Sequence, residues 1–357
     1  MRILSRYFVQ SYLTYYAAIV AISMLVIAIV EMMVNFDHVI DYGEGIAGVA
    51  SYLFLRLPSY YLPFLLPVGS FGAALLCLGL PARALEILAA KTSGIAPLRI
   101  AAPVLATACL FSGLALLLNE TVVLRSARRF DGAPEGGELF QSRGEFWYQR
   151  GNTLFNVQAA DRDTQTLQGV AIYERDADGR LLRSVRADRA HIETNQRWRL
   201  ENALFREFPR DEPESAPRIE QHATALFELG GAGDLALLGA DPHALTLLRL
   251  HDYIGAVARE GRDTTRYRSL WHARLADPVA VLLFAVLSAP LGFSVERART
   301  LGAAAIQGVA LLGGYYALQT AASVIGSAGY AAAALAPWLV LSSFGAFGAW
   351  RLARVGS

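Results

Sequence analysis

The chain has a single lysine. Lys91 stands among 32 basic residues, and it follows Ala90 rather than a glycine-rich turn. A Walker A loop needs a lysine directly after such a turn, so this chain has no P-loop with which to bind ATP. It has two cysteines, Cys77 and Cys109, both inside apolar runs. They read as small packing residues, and the polar part of the chain has no disulfide framework. The six histidines show no HExxH or similar spacing, which leaves no metal site to propose. No Gly-x-Ser-x-Gly marks a hydrolase elbow. The glycines of "LGGAGDLALLG" (229–239) lack a flanking strand-to-helix context and read as a loop. Asn119-Glu120-Thr121 matches a glycosylation acceptor, but it sits at the edge of an apolar run and reads as chance. The apolar runs also lack the paired carboxylates of an intramembrane aspartyl protease or a proton-coupled transporter. The chain therefore reads as no enzyme, with no cofactor of its own.

What the chain has instead is long stretches without charge. Its 357 residues are 54% hydrophobic with a mean hydropathy of +0.34. Residues 121–270 hold 21 of the 32 basic and 23 of the 31 acidic residues. No charge occurs between Arg6 and Glu31, Arg56 and Arg83, Arg99 and Glu120, or Asp277 and Glu296. Each run is long enough for a helix to cross a hydrocarbon core of ~30 Å. The run from Thr300 to Trp350 is too long for one crossing and breaks at Gly326-Ser327-Ala328-Gly329, which reads as a tight turn. Six transmembrane helices follow. The first is too long for a signal-peptide core and has no small-residue cleavage motif before Glu31, so it reads as an uncleaved helix.

The basic residues of the short loops set the orientation. Arg2 and Arg6, then Arg83, Lys91 and Arg99, then Arg297 and Arg299, then Arg351 and Arg354 all fall on one side of six spans. The opposite loop, 31–50, has Glu31, Asp37, Asp41 and Glu44 and no basic residue. Both termini are expected in the cytoplasm of a bacterial inner membrane, with the large polar domain in the periplasm. Expected boundaries are 1–120 for helices 1–3, 121–270 for the inserted domain and 271–357 for helices 4–6. The charge balance of the inserted domain offers no nucleic-acid footprint. Arg56 and Asp277 lie near span ends, where snorkelling to the interface is the simplest reading.

Within the inserted domain, residues 145–208 alternate like strands. Asp176-Ala177-Asp178-Gly179 signals a hairpin and Thr194-Asn195-Gln196 a second turn, so an all-β meander, sandwich or open barrel is expected. Residues 243–262 have helical periodicity, with Leu247, Leu250, Tyr253 and Ile254 on one face. Between spans 2 and 3, "RALEILAAKTSG" (83–94) predicts a short helix, about 82–96 with its flanks. Leu85, Leu88 and Ala89 fall at i, i+3 and i+4, Gly94 suits the helix end, and Pro97 cannot continue it.

Three stretches carry a resemblance. "EILAAKTSGI" has a Glu, a small apolar run, a basic residue and Gly-Ile; "LHDYIGAVAREGRDTTRYRSLWHARLADP" spans 250–278; and "FWYQRGNTLFNVQAADRDTQTLQGVAIYERDADGRLLRSVRADRA" begins at Phe146. With "RLPSYYLPFLLPVG" and six spans around a β domain, the chain resembles the LptF/LptG permeases of the lipopolysaccharide exporter over nearly its whole length. The third stretch is more similar to the LptG branch. The resemblance implies a periplasmic β-jellyroll between helices 3 and 4 and a pseudo-symmetric pair of permeases, this chain and LptF. Spans 1 and 5 would line a lateral cavity that takes lipopolysaccharide from the outer leaflet. A dimeric ATPase, LptB, would bind ATP and Mg and drive its collapse, and the lipid would pass along the jellyroll to LptC and LptA.

On that footing the 83–94 helix is a coupling helix, with Glu86 the chief polar contact to the ATPase and Arg83 and Lys91 its flanks. Met32, Phe36, Phe64, Phe71, Tyr315 and Leu318 are the expected cavity lining. Phe146, Tyr148, Leu154, Phe155, Val157, Val170 and Ile172 would face the jellyroll groove, where the same residues also suit an ordinary sandwich core. One departure stands out. Some LptG members place lysines just after span 1 for lipid A phosphates, whereas loop 34–45 here is acidic and lysine-free, which turns attention to Arg56 on the same side. Other ABC permeases with a large outside domain usually place it after span 1. A membrane-anchored scaffold with no transport role stays open, and co-purification with an ATPase dimer stimulated by lipopolysaccharide distinguishes the two.

Overall fold

The computed structural model describes residues 2–42, 45–130, 146–150, 152–161, 166–176, 179–193, 197–209, 216–228, 242–259, 263–295, 300–330 and 332–355. The glycine-rich 229–239 stretch, the Thr194–Gln196 turn, Glu44, and Arg297 and Arg299 lie outside them. The chain divides into two units, Met1–Gly132 with Thr265–Ser357, and Ala133–Thr264. The inserted unit is thus shorter than the expected 121–270, because helical structure continues past Glu120 and resumes at Thr265.

The first unit is helical. Helix α1 covers Arg2–Val34 and α2 Phe36–Asp41. Helix α3, Gly45–Arg56, passes through a π turn at Leu57–Tyr61 into α4, Leu62–Arg83. Pro58 and Pro63 have no N–H to donate there, which opens the α ladder. After α5, Glu86–Thr92, helix α6 (Pro97–Leu118) passes through a second π turn, Asn119–Val123, into α7, Leu124–Phe130. In that turn Thr121 Oγ1 donates to Leu117 O at 2.6 Å and competes with the backbone. The two π turns pack against each other.

Past the inserted unit, α9 (Thr265–Ala276) leads through a 3-10 turn, Asp277–Val279, into α10, Ala280–Phe293. Helix α11 follows at Leu301–Ser327 and α12 at Leu335–Val355. Among the described residues, five stretches are long and apolar enough to cross a membrane: Ile3–Val34, Gly45–Arg83, Pro97–Phe130, Thr265–Phe293 and Leu301–Ser327. The sixth expected span, α12, is 21 residues long and packs on α10 and α11. Its serines, glycines and two arginines keep it out of the five. The expected break is in place: α11 stops at Ser327 and Gly329 takes φ +80°.

Helix α10 is the centre of this unit, buried along nearly its whole length and packed by α4, α6 and α12. A relay of hydroxyls pins two other helices to it. Ser70 Oγ donates to Val281 O at 2.7 Å, so Tyr12 donates to Ser70 Oγ, also at 2.7 Å, tying α1 to α4 to α10. Ser288 Oγ donates to Phe71 O at 2.9 Å. Each buried hydroxyl is satisfied, so the apolar interface gains direction without the cost of an unpaired polar group.

The second unit carries six antiparallel strands in sequence order: β1 Phe146–Arg150, β2 Thr153–Asp161, β3 Thr166–Arg175, β4 Leu181–Glu193, β5 Arg197–Glu207 and β6 Arg218–Glu228. The 176–179 hairpin is present: Asp176 N donates to Arg180 O and Gly179 N to Asp176 O. The strands do not lie flat. Strands β2 and β5 are three spacings apart, about 14 Å in a flat sheet. Yet the rings of Phe155 and Trp198 lie 6.2 Å apart, so the sheet folds onto itself. The fold line can be read from the burial pattern. Along β3 the buried residues change from Leu167 to Val170 and Ile172, along β4 from Val185 and Ala187 to Ala190, and along β5 from Trp198 and Leu200 to Ala203. Each shift is one residue out of phase. In register they cross the sheet at Gln158, Gly169, Asp188, Asn202 and Ala223. Gly169 and Asn202 both have positive φ, and Asn202 Nδ2 donates to Asp188 Oδ2 at 3.0 Å across the line. The pairing register is unchanged across this line, so each strand turns its other face inward at a corner without an inserted residue.

Helix α8, Leu247–Arg259, completes this unit and buries Leu250, Tyr253, Ile254, Ala256 and Val257.

Candidate functional site

Three places in the molecule have the character of working surfaces. The first is the elbow between α4 and α6. Leu85 adopts φ +64°, unusual for a leucine, and turns the chain sharply into α5. Gly94 at φ +82° ends the elbow. The face turned inward belongs to Ile87, buried against the helical core. The expected apolar face of Leu85, Leu88 and Ala89 therefore points away from the bundle, with Leu88 exposed. Glu86 and Arg83 are exposed beside it, and Lys91 Nζ sits 5.8 Å over the ring of Phe293 at the end of α10. The short helix is anchored by Ile87 and presents apolar and charged groups outward.

The second is a cleft over α4. Helix α1 packs on one flank of α4: Cys77 Sγ donates to Phe8 O, and Tyr16 OH to Leu66 O at 3.2 Å. Helix α11 packs on the other flank, with Phe64 and Tyr316 rings 4.9 Å apart. Val68, Gly72 and Leu76 of α4 fall between the two contacts on the helical wheel and stay partly exposed. The walls are the least covered of the five spans, α1 above all. Phe64 is exposed here; Leu318 of α11 is exposed too, as are Met32 and Phe36 near the end of α1. Phe71 and Tyr315 are corrected: both are interior residues. Phe71 fills a notch opposite Gly308, and Tyr315 meets Phe284 and Phe344 edge-on in the core.

At the end of α1, Glu31 is 2% exposed. Its carboxylate accepts from Tyr52 OH at 2.9 Å, Tyr61 OH at 2.5 Å and Arg56 Nε at 3.3 Å. The Arg56 guanidinium lies between the rings of Tyr60 (4.7 Å) and Phe130 (5.1 Å). Arg56 is therefore not the free cation at a span end that the charge pattern implied; its charge is matched by Glu31. Helix α7, which packs on α3 and its π turn, brings Arg125, Arg128 and Arg129 to the same end. These arginines were missed because a boundary at 121 assigned them to the soluble domain. The signal was present, since "RSARR" follows an uncharged run by only a few residues.

The third place is the inner face of the folded sheet. Phe155, Val157, Val170 and Ile172 are buried there with Trp198 and Phe227, whereas Leu154, half-buried, alternates onto the opposite face beside Tyr173. Phe146 and Tyr148 stand opposite Val157 and Phe155 in the β1–β2 register; their side chains lie outside the described residues. At one end the lining turns polar, in a cavity of about 300 Å³ bounded by Arg183, Phe205, Glu207, Arg218, Glu220 and His222.

No group of three or more metal-ligating side chains occurs among the described residues. The family model for the lipopolysaccharide export system permeases LptF/LptG matches residues 6–354. The chain belongs to this family. Among its LptF/LptG relatives, the LptG of Escherichia coli strain K12 is 24% identical over 278 residues, 76% of each chain. The LptG of Haemophilus influenzae is 23% identical over 251 residues, 68% of each. These relatives are LptG proteins, the branch that the strand segment of this chain resembles. As an LptF/LptG permease the chain is a multi-pass inner-membrane transporter component, and its inserted sheet stands where the resemblance put a β domain.

Proposed function

We propose that this chain extracts lipopolysaccharide from the outer leaflet of the inner membrane, as one permease of an exporter powered by a separate ATPase. The family match across residues 6–354 is the observation that carries the reading. Spans 1 and 5 agree with it, since their apolar faces are left open on either side of α4. A second permease of the LptF type would close that cleft, acyl chains would lie against Met32, Phe36, Phe64 and Leu318, and Arg125, Arg128 and Arg129 would meet lipid phosphates. Both termini and α5 would lie in the cytoplasm, where the groove of a dimeric LptB-type ATPase would take Leu88 and Glu86. ATP and Mg belong to that subunit. The folded sheet would receive the lipid in the periplasm and pass it to LptC and LptA.

A photo-crosslinking side chain placed at Leu318 or Met32 tests the reading in living cells. Lipopolysaccharide adducts are expected at both positions and not at Leu110, an exposed residue of α6. Equal adducts at all three positions would mean that the cleft has no special relation to the lipid.

A further inference from the structure

Helix α1 packs on the bundle along its first half and again at its far end. Its first half buries Phe8, Tyr12 and Tyr16 against the bundle; after Tyr16 no residue is buried until Glu31. Ile19 and Val20 still pack on Gly72 and Gly69 of α4, so the open stretch runs from Val20 to Glu31, 11 residues by their numbers and about 16 Å of helix, half the thickness of a hydrocarbon core. Over that length Ile22, Leu25, Val26, Ile29 and Val30 are exposed. What returns the helix to the protein is a carboxylate.

We infer that Glu31 is a latch: through Arg56, Tyr52 and Tyr61 it fixes the far end of α1 against α3 and the π turn, and so sets the width of the opening through which lipid reaches the cleft. The inference rests on the lipid-export reading for its last clause; the latch itself rests on geometry. Glu31 receives three donors from two successive elements, Tyr52 and Arg56 from α3 and Tyr61 from the π turn. Arg56 is in turn clasped by Tyr60 and by Phe130 of α7, whose ring stacks on Tyr42 at 5.4 Å. The π turn makes this possible, because the wider turn offsets Tyr60 and Tyr61 from the register that an α-helix would impose. An ordinary packing contact at this point would let α1 slide; a buried carboxylate cannot leave its donors without a large desolvation cost, so the joint has a closed state and an open state with little between. That is the property of a positioning residue in a gate. Glu31 need not touch the lipid to decide whether the opening forms.

The test uses the full chain, purified with its partner subunits into nanodiscs containing lipopolysaccharide. Spin labels at Val34, just past the latch, and Phe54, on α3, are both at exposed positions. The unmodified latch predicts one narrow distance distribution. Glu31→Gln keeps the shape but loses the charge, and is expected to broaden that distribution by several ångströms. It should also raise the half-maximal lipopolysaccharide concentration for stimulated ATP hydrolysis several-fold, with maximal turnover within twofold; Tyr61→Phe should do the same to a lesser degree. An unchanged distribution in Glu31→Gln overturns the latch. A broadened distribution with unchanged lipid dependence overturns its role in lipid access. If the unmodified protein brings down no ATPase, the export reading fails instead, and the distance measurement still decides the latch.

Discussion

The ring of Phe71 occupies the space that a side chain at Gly308 would need. A Cβ built on Gly308 comes 2.3 Å from Phe71 Cζ, so α4 and α11 meet through a notch only glycine leaves open. Gly308→Ala should cost about 1–3 kcal/mol by overpacking. In the purified protein this reads as a fall in thermal midpoint of several degrees, and Phe71→Leu in the same chain should restore part of it. A midpoint unchanged by Gly308→Ala would show that α4 and α11 do not meet at this notch.

The corner of the sheet makes a second prediction. Gly169 has φ +61°, and a Cβ there would fall 2.3 Å from Gln158 Oε1. Gly169→Val combines backbone strain with a clash, and is expected to destabilise the β unit by about 1–3 kcal/mol or more. Limited proteolysis of inverted or intact membrane vesicles should find the β unit cut faster while the spans stay intact. Gln158→Ala should relieve the clash but not the strain, leaving a smaller residual effect.

Inside the fold, Trp198 is the largest fully buried side chain and meets Phe155 across the groove. Trp198→Ala should cost about 3–5 kcal/mol if the two layers pack on one another. Trp198→Phe keeps most of the apolar area and should cost much less. Equal losses for the two would argue that the layers do not depend on this contact.

The elbow helix carries the fourth prediction. Glu86 is exposed and Ile87 anchors the helix, so Glu86→Lys should leave abundance and membrane insertion unchanged while co-purification of the ATPase falls at least tenfold. Ile87→Asp should instead lower the amount of folded chain, because it buries a charge in the core. Retained ATPase in Glu86→Lys would remove that residue from the interface.

Much of this molecule was legible from charge alone. Uncharged runs located five spans, and the break at Gly326–Gly329 lies where α11 ends. The exceptions have physical reasons. Charge patterns say where a helix can enter lipid but not where it stops, so Arg125, Arg128 and Arg129 were assigned to the soluble domain although α6 continues through a π turn to reach them. Apolarity does not distinguish a groove from a core: Phe64 and Phe71 are alike in sequence, and only the small Gly308 opposite Phe71 separates their fates. Arg56 looked free because its partner, Glu31, lies 25 residues away in sequence and meets it only once α1 and α3 are folded together. The elbow was read as a helix with one apolar face, but periodicity cannot tell which side has a neighbour, and it was Ile87 that turned inward. The corner in the sheet was invisible because the buried face changes phase at Gly169 and Asn202, which interrupts the alternation on which strand reading depends.

The central claim is that a chain without a P-loop moves lipopolysaccharide with energy supplied by another subunit. Purification from native membranes in mild detergent, followed by identification of bound subunits and ATP hydrolysis with and without added lipopolysaccharide, tests it most directly. The account predicts a nucleotide-binding subunit and a second permease in the complex, with hydrolysis that rises when lipopolysaccharide is added. A chain that purifies without any ATPase, or a complex whose hydrolysis ignores the lipid, would contradict it.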